Sequence, residues 1–204
     1  MNLEDIFSIV ESHDLDKLEQ WIAKGFDANH SSPNSPYWTP LQDAVDELDY
    51  NSSMAFVERL LEAGADPSYW DPRSSNGPLM MAITRRHSRT ARLLLEYGAD
   101  PNVRSSEGTS PLRWSVQKDD LEMVSLLIDH GLSANSINDP GGIEGMNALG
   151  IATSRLNEAM VRMLTDAGAD PTCKDANLRN AEDIIPPDAD PKIQSQLRNY
   201  LLNK

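Results

Sequence analysis

The stretch Ala91-Arg92-Leu93-Leu94-Leu95-Glu96-Tyr97 followed by Gly98-Ala99-Asp100-Pro101-Asn102 decides how this 204-residue chain is read. Its first part has the apolar spacing of a helix face. Gly98 can take the left-handed conformation that closes a helix, and Pro101 then prevents the helix from resuming. The same ending recurs at Gly25-Phe26-Asp27-Ala28-Asn29, Gly64-Ala65-Asp66-Pro67, Gly131-Leu132-Ser133-Ala134-Asn135 and Gly168-Ala169-Asp170-Pro171, with the glycines 39, 34, 33 and 37 residues apart. Self-similarity at such a period marks a repeat protein.

A starting signal keeps step with these endings: Thr39-Pro40-Leu41, Gly77-Pro78-Leu79, Ser110-Pro111-Leu112 and Asn147-Ala148-Leu149. The side-chain oxygen of Thr39, Ser110 or Asn147 can cap a helix, and a proline at the first helical position lacks an N–H that would be orphaned anyway. In three repeats 20 residues separate start from stop, which is room for two short antiparallel helices and a tight turn. Seven residues before each glycine stand Leu18, Val57, Ala91, Val124 and Val161, and four before stand Trp21, Leu60, Leu94, Leu127 and Leu164. All are apolar, so the second helix of each pair turns one face to a shared core.

With T-P-L opening the first helix and G-A-D-P-N after the second, at a period near 33, the chain resembles the ankyrin repeat family. The resemblance implies an all-α solenoid of paired short antiparallel helices, about twelve in all, with finger-like hairpin loops and a C-terminal capping helix. It divides a single domain, 1–204, into repeats at about 1–29, 30–68, 69–102, 103–135 and 136–172, then a degenerate sixth repeat and cap over 173–204. In the sixth, Asn180-Ala181-Glu182-Asp183-Ile184 opens a unit that Pro186-Pro187 breaks, and Asp190-Pro191 starts the capping helix, Lys192 to Leu202. Caps at both ends suit a self-contained chain. Where the family has His after T-P-L, this chain has Gln42, Met80, Arg113 and Gly150, so that turn must be hydrogen-bonded differently. Extra residues are placed at Asp49–Ser53 and Asn138–Ile143.

A formal charge of -14, from 32 acidic against 18 basic residues, disfavours nucleic acid and anionic membranes and favours basic partners. The apolar runs are short, such as Leu93-Leu94-Leu95, and acids stand near the amino terminus where a secretory signal carries Lys or Arg. The expected location is cytoplasmic. One cysteine, Cys173, excludes an internal disulfide and reads as a bystander thiol.

The histidines at 13, 30, 87 and 130 show no metal-ligand spacing, and no catalytic or phosphate-cradling motif occurs, so no enzyme, metal or cofactor is expected. His87 falls in an inter-helix turn and reads as structural. The run Asp46-Glu47-Leu48-Asp49 lacks the ligand alternation and the glycine of a calcium loop. Large aromatics in the finger loops, Tyr37-Trp38 and Tyr69-Trp70, are the side chains that most often anchor interfaces. The concave-facing slots of the first helices hold Asp46 and Glu47, Thr84 and Arg85, Gln117 and Lys118, and Ser154 and Arg155. The third repeat is a basic band through Arg85, Arg86, Arg89 and Arg92.

The expected partner surface is therefore Tyr37, Trp38, Asp46, Glu47, Tyr69, Trp70, Arg85, Trp114 and Lys118. A stack without chemistry of its own acts by association. Small acidic ankyrin proteins are similar to bacterial immunity proteins, which implies a basic toxin enzyme as partner and a monomer when free. The alternative is an adaptor or regulatory scaffold subunit of a housekeeping enzyme.

Overall fold

The structure is a computed structural model that describes residues 4–25, 27–34, 36–50, 54–69, 76–141 and 145–202. Among the described residues there are twelve α-helices, two short 3-10 helices and no strand. Two compact units divide the chain, Met1–Ser106 and Glu107–Lys204. The first holds α1 (Glu4–Glu11), α2 (Leu15–Ala23), α3 (Pro40–Asp46), α4 (Met54–Glu62), α5 (Pro78–Thr84) and α6 (Ser88–Glu96). The second holds α7 (Pro111–Gln117), α8 (Leu121–Asp129), α9 (Ala134–Ile137), α10 (Ala148–Ser154), α11 (Glu158–Asp166) and α12 (Pro191–Leu202).

The expected starts and stops are where the helices begin and end. Thr39 caps α3 in a reciprocal capping box with Gln42, Ser110 caps α7 through the Arg113 amide, and Asn147 caps α10 through the Gly150 amide. The glycines at 25, 64, 98, 131 and 168 have φ between +73° and +95°. The ten apolar residues counted back from them are each at most 1% exposed. Fully burying one such leucine contributes about 1.5–3 kcal/mol, so these rows hold the repeats together.

The turn inside each pair has a device of its own. His13, Arg86, Asp119 and Leu156 take left-handed backbone, at φ +54°, +62°, +54° and +56°. The next residue caps the second helix: Asp14, Asp120 and Asn157 accept the amides of Lys17, Met123 and Met160. His87 holds the same place before α6 but forms no side-chain cap bond.

Neighbouring repeats are also stapled through their finger loops. Asn29 Oδ1 accepts the Asp66 amide at 2.7 Å, Ser68 Oγ the Asp100 amide at 2.9 Å, and Asn138 Oδ1 the Asp170 amide at 2.7 Å. The altered position after T-P-L also bridges repeats, as its chemistry required: Gln42 Nε2 donates to the Asn76 carbonyl, and the Arg113 guanidinium donates to the Met146 carbonyl.

The first insertion begins in a 3-10 helix, Glu47–Tyr50, and its remainder, 51–53, lies outside the described residues. The second is preceded by α9, which sequence reading did not anticipate; of that insertion, residues 142 and 143 also lie outside. The sixth repeat starts as expected, with Asn180 and Asp183 exchanging side-chain-to-amide bonds of 3.0 Å, but it shrinks to a 3-10 turn, Glu182–Ile184. Helix α12 then buries Leu197 and Leu201 in the core of the second unit.

Candidate functional site

The end of each first helix is where charged side chains gather. Glu47, Arg85, Lys118 and Arg155 are the C-cap residues of α3, α5, α7 and α10. In the first unit the Arg85 guanidinium reaches back and ion-pairs with Asp46 of the preceding repeat. In the second, Arg155 Nη1 donates to the Gln117 carbonyl at 2.8 Å and to the Asp119 carboxylate at 3.1 Å. Both bridges run in the same direction, from the end of one first helix to the end of the previous one. Three expected site residues, Asp46, Glu47 and Arg85, are thus brought together.

Behind them sits a residue that sequence reading missed. Asp43 lies on α3 with Oδ2 buried and without a hydrogen-bond partner among the described residues. Burial, then the charges of Glu11, Glu47 and Asp46, push its carboxyl up to about 7. Because α1 packs on α3, Glu11 enters this cluster from another repeat. The only local hint was an acid one residue after Gln42, in a segment whose neighbours are all buried.

The aromatic candidates differ in setting. Tyr37 and Trp38 are half-buried in the finger loop, with Tyr37 at φ +62° and the Trp38 carbonyl accepting the Ser32 amide at 2.8 Å. Tyr69 is 39% exposed. Trp70 lies outside the described residues. In the second unit Trp114 is half-buried, and Lys118 is exposed with its Nζ 4.9 Å from the Trp114 ring centroid, a cation–π contact.

A second residue missed at first reading is Leu178. It stands in the last finger loop, 74% exposed, at φ +63°. Asp175 fixes that loop by accepting the amides of Asn177 and Arg179 and pairing with the Arg179 guanidinium at 2.8 Å. These bonds, that of the Arg179 amide first, hold the Asp175 carboxyl below its usual range. Two residues before the cap positions Thr39, Ser110, Asn147 and Asn180, the residues Tyr37, Gly108, Gly145 and Leu178 share this left-handed slot, and only position-by-position alignment of the repeats would have exposed the two bulky members.

Among the described residues no group of three or more His, Cys, Asp or Glu is arranged to hold a metal ion, and no helix is long and apolar enough to cross a membrane.

The ankyrin repeat model of three copies matches residues 6–105 and 79–175. The chain belongs to the ankyrin repeat family. An ankyrin repeat protein of Rickettsia bellii is 29% identical over 155 residues, which cover 72% of this chain and 42% of that protein. The human ankyrin repeat and SOCS box protein 3 is 29% identical over 140 residues, 68% of this chain and 26% of that one. The chain thus spans well under half the length of these curated relatives. Among solved structures, an ankyrin repeat domain from Acinetobacter baumannii matches 98% of both chains with a TM-score of 0.79 at 20% identity. The ankyrin repeat protein EF0377 matches 98% of both with a TM-score of 0.74 at 21% identity. Ankyrin repeats are in general a non-catalytic module, and they indicate a protein–protein interaction module in this chain.

Proposed function

We propose that this chain is an immunity protein: it binds a basic toxin enzyme in the cytoplasm and neutralises it, and is monomeric when free. What supports the reading is the repeat architecture, helix pairs with charged residues at the first-helix ends and half-buried or exposed aromatics in the finger loops. The charge of -14 accelerates encounter with a cationic partner. A toxin that cuts nucleic acid is cationic for its own substrate's sake. The expected partner surface remains Tyr37, Trp38, Asp46, Glu47, Tyr69, Trp70, Arg85, Trp114 and Lys118.

The test is functional. Cells expressing the captured partner survive when this chain is co-expressed and die when it is deleted, and the purified pair forms a 1:1 complex whose on-rate falls with added salt. A captured housekeeping protein, or survival that is indifferent to this chain, removes the immunity reading and leaves the adaptor in its place.

A further inference from the structure

We propose that the groove between α8 and α11, in the second unit, is a docking site for a cationic amphipathic helix of another protein. None of the residues of the expected partner surface lines it, so the inference goes beyond the immunity reading and neither depends on the other. The groove encloses about 500 Å3. Ser125 and Ile128 form its α8 side, and Ala159, Met163 and Ala167 form the side of α11 and its C-cap.

The corresponding place in the first unit is closed by a side chain of the protein itself. Counted back from the glycines that end their repeats, Arg59 and Met163 hold the same position, five residues before Gly64 and Gly168. Glu19 and Ser125 correspond in the same way, six before Gly25 and Gly131, as do Glu62 and Asp166, two before Gly64 and Gly168. Arg59 reaches across to the preceding repeat, where its Nε and Nη2 donate to the Glu19 carboxylate at 2.6 and 2.8 Å, and it also pairs with Glu62 of its own helix. An arginine lays an apolar stem along the surface and keeps its charged head in water, so this ion pair lies over the gap between the two helices.

In the second unit that lid is missing. Met163 has no charged head to send across, and Ser125 is too short to meet one. The other residues six before a closing glycine are Glu19, Glu58, Arg92 and Arg162, all long. Ile128, Met163 and Ala167 are left half-buried on the edge of the core with nothing of this chain laid over them. A concave strip of apolar side chains between two helices takes the apolar face of a third, with anchors at i, i+3, i+4 and i+7.

Charge chooses among occupants. Helices α8 and α11 carry four acids, Glu122, Asp129, Glu158 and Asp166, against one arginine, Arg162. Arg162 lies 3.8 Å from Asp166 with both side chains more than half exposed, a pair that contributes little in water. A second copy of this acidic chain, or an anionic lipid surface, would bring like charge to that rim. A helix with Lys or Arg flanking its apolar stripe brings the combination of stem and cation that Arg59 supplies in the first unit.

The test titrates the assigned 1H–15N spectrum of the full chain with a synthetic helical peptide that has Leu at i, i+3, i+4 and i+7 and Lys elsewhere. Saturable shifts are expected at the amides of Ser125, Ile128, Ala159 and Met163. The same peptide with Glu in place of Lys should bind about tenfold more weakly or worse. The double variant Ser125→Glu, Met163→Arg recreates the Glu19–Arg59 pair without changing the net charge, so it should weaken binding of the Lys peptide about tenfold or more by closing the groove. Ala159→Gln, at an exposed helical position, puts bulk into the groove with no change of charge and should weaken binding several-fold, which keeps the test open if the double variant does not fold. Absence of saturable shifts, shifts spread over the whole chain, equal binding of the Glu peptide, or undiminished binding in the folded variants would overturn the proposal. So would self-association of the parent that the double variant abolishes, because a second copy would then be the occupant.

Discussion

Gln42 Nε2 lies 2.7 Å from the carbonyl oxygen of Asn76 and donates to it, so a side chain of α3 is tied to the loop that opens the next repeat. Its other end is used as well, since Oε1 accepts the Thr39 amide at 2.9 Å. Gln42 is fully buried and Thr39 is 2% exposed, so the Thr39 amide has no water to fall back on. Replacing it with Leu keeps the bulk and strands both groups, which should cost about 1–3 kcal/mol. The check is the urea midpoint of Gln42→Leu; a midpoint equal to that of the parent would show that both bonds are dispensable.

The second-helix leucines carry packing alone. Leu94 and Leu127 are both completely buried, so truncation to Ala removes contacts and leaves a cavity. A loss of about 2–5 kcal/mol is expected for each. Far-ultraviolet circular dichroism should stay helical in both variants, and a spectrum dominated by strand in the parent would contradict the fold.

How much of this was readable in advance follows from the range of each effect. Thr39-Pro40-Leu41 and Gly98 declare helix ends through their own chemistry, which acts within a turn, so the helix pairs were legible. The caps at Asp14, Asp120 and Asn157 were less so, because the left-handed residue before each is His13, Asp119 or Leu156, none of them a glycine that would flag the turn. Helix α9 has four residues, too few to show a period. Asp43 was hidden for a different reason: its partner in repulsion, Glu11, belongs to another repeat and meets it only after α1 packs on α3. The ends of the first helices, by contrast, were found from spacing, and Asp46 and Arg85 do meet there.

Asp43 should make stability depend on pH. Its carboxyl is raised from 3.8 to about 7 in the folded chain, first by burial and then by Glu11, Glu47 and Asp46. A group raised on folding binds its proton more tightly when folded, so its contribution is complete below pH 4 and is lost as pH rises through about 7. The shift corresponds to at most about 4 kcal/mol. Denaturation at pH 5 and pH 8 should show the parent weaker at pH 8 and Asp43→Asn nearly indifferent. Equal pH slopes for parent and variant would argue that Asp43 titrates normally.

The left-handed slot of the finger loops gives a prediction of opposite sign to most substitutions. Gly108, at φ +76°, has nothing within 4 Å of where a Cβ would stand, so its conformation is set by backbone alone. Leu178 adopts nearly the same backbone with its side chain 74% exposed and bears the left-handed penalty without packing in return. Leu178→Gly should therefore raise stability by about 0.5–1 kcal/mol, the penalty of the left-handed region less the extra chain entropy of glycine. Gly108→Leu should lower it by a similar amount. Thermal midpoints of the two variants, moving apart in these directions, would check the slot.

The partner surface is tested by separating anchors from bystanders. Trp38 is half-buried and Tyr69 is 39% exposed, so each retains area to bury on binding, whereas Glu58 and Glu62 lie on α4 and Glu96 ends α6, the second helices of their pairs. Large aromatics that become fully desolvated dominate interface energies, and truncating such an anchor costs at least about 2 kcal/mol. Trp38→Ala and Tyr69→Ala should each weaken a purified complex about thirtyfold or more through faster dissociation. Reversing Glu47 to Lys acts differently, because a charge at the edge of an interface mainly steers encounter, so it should slow association at low salt and matter little at high salt. Glu58→Gln and Glu96→Gln should change neither rate. Surface plasmon resonance at two salt concentrations separates these effects, and full affinity in the helical double variant Trp38→Ala, Tyr69→Ala would place the partner away from the finger loops.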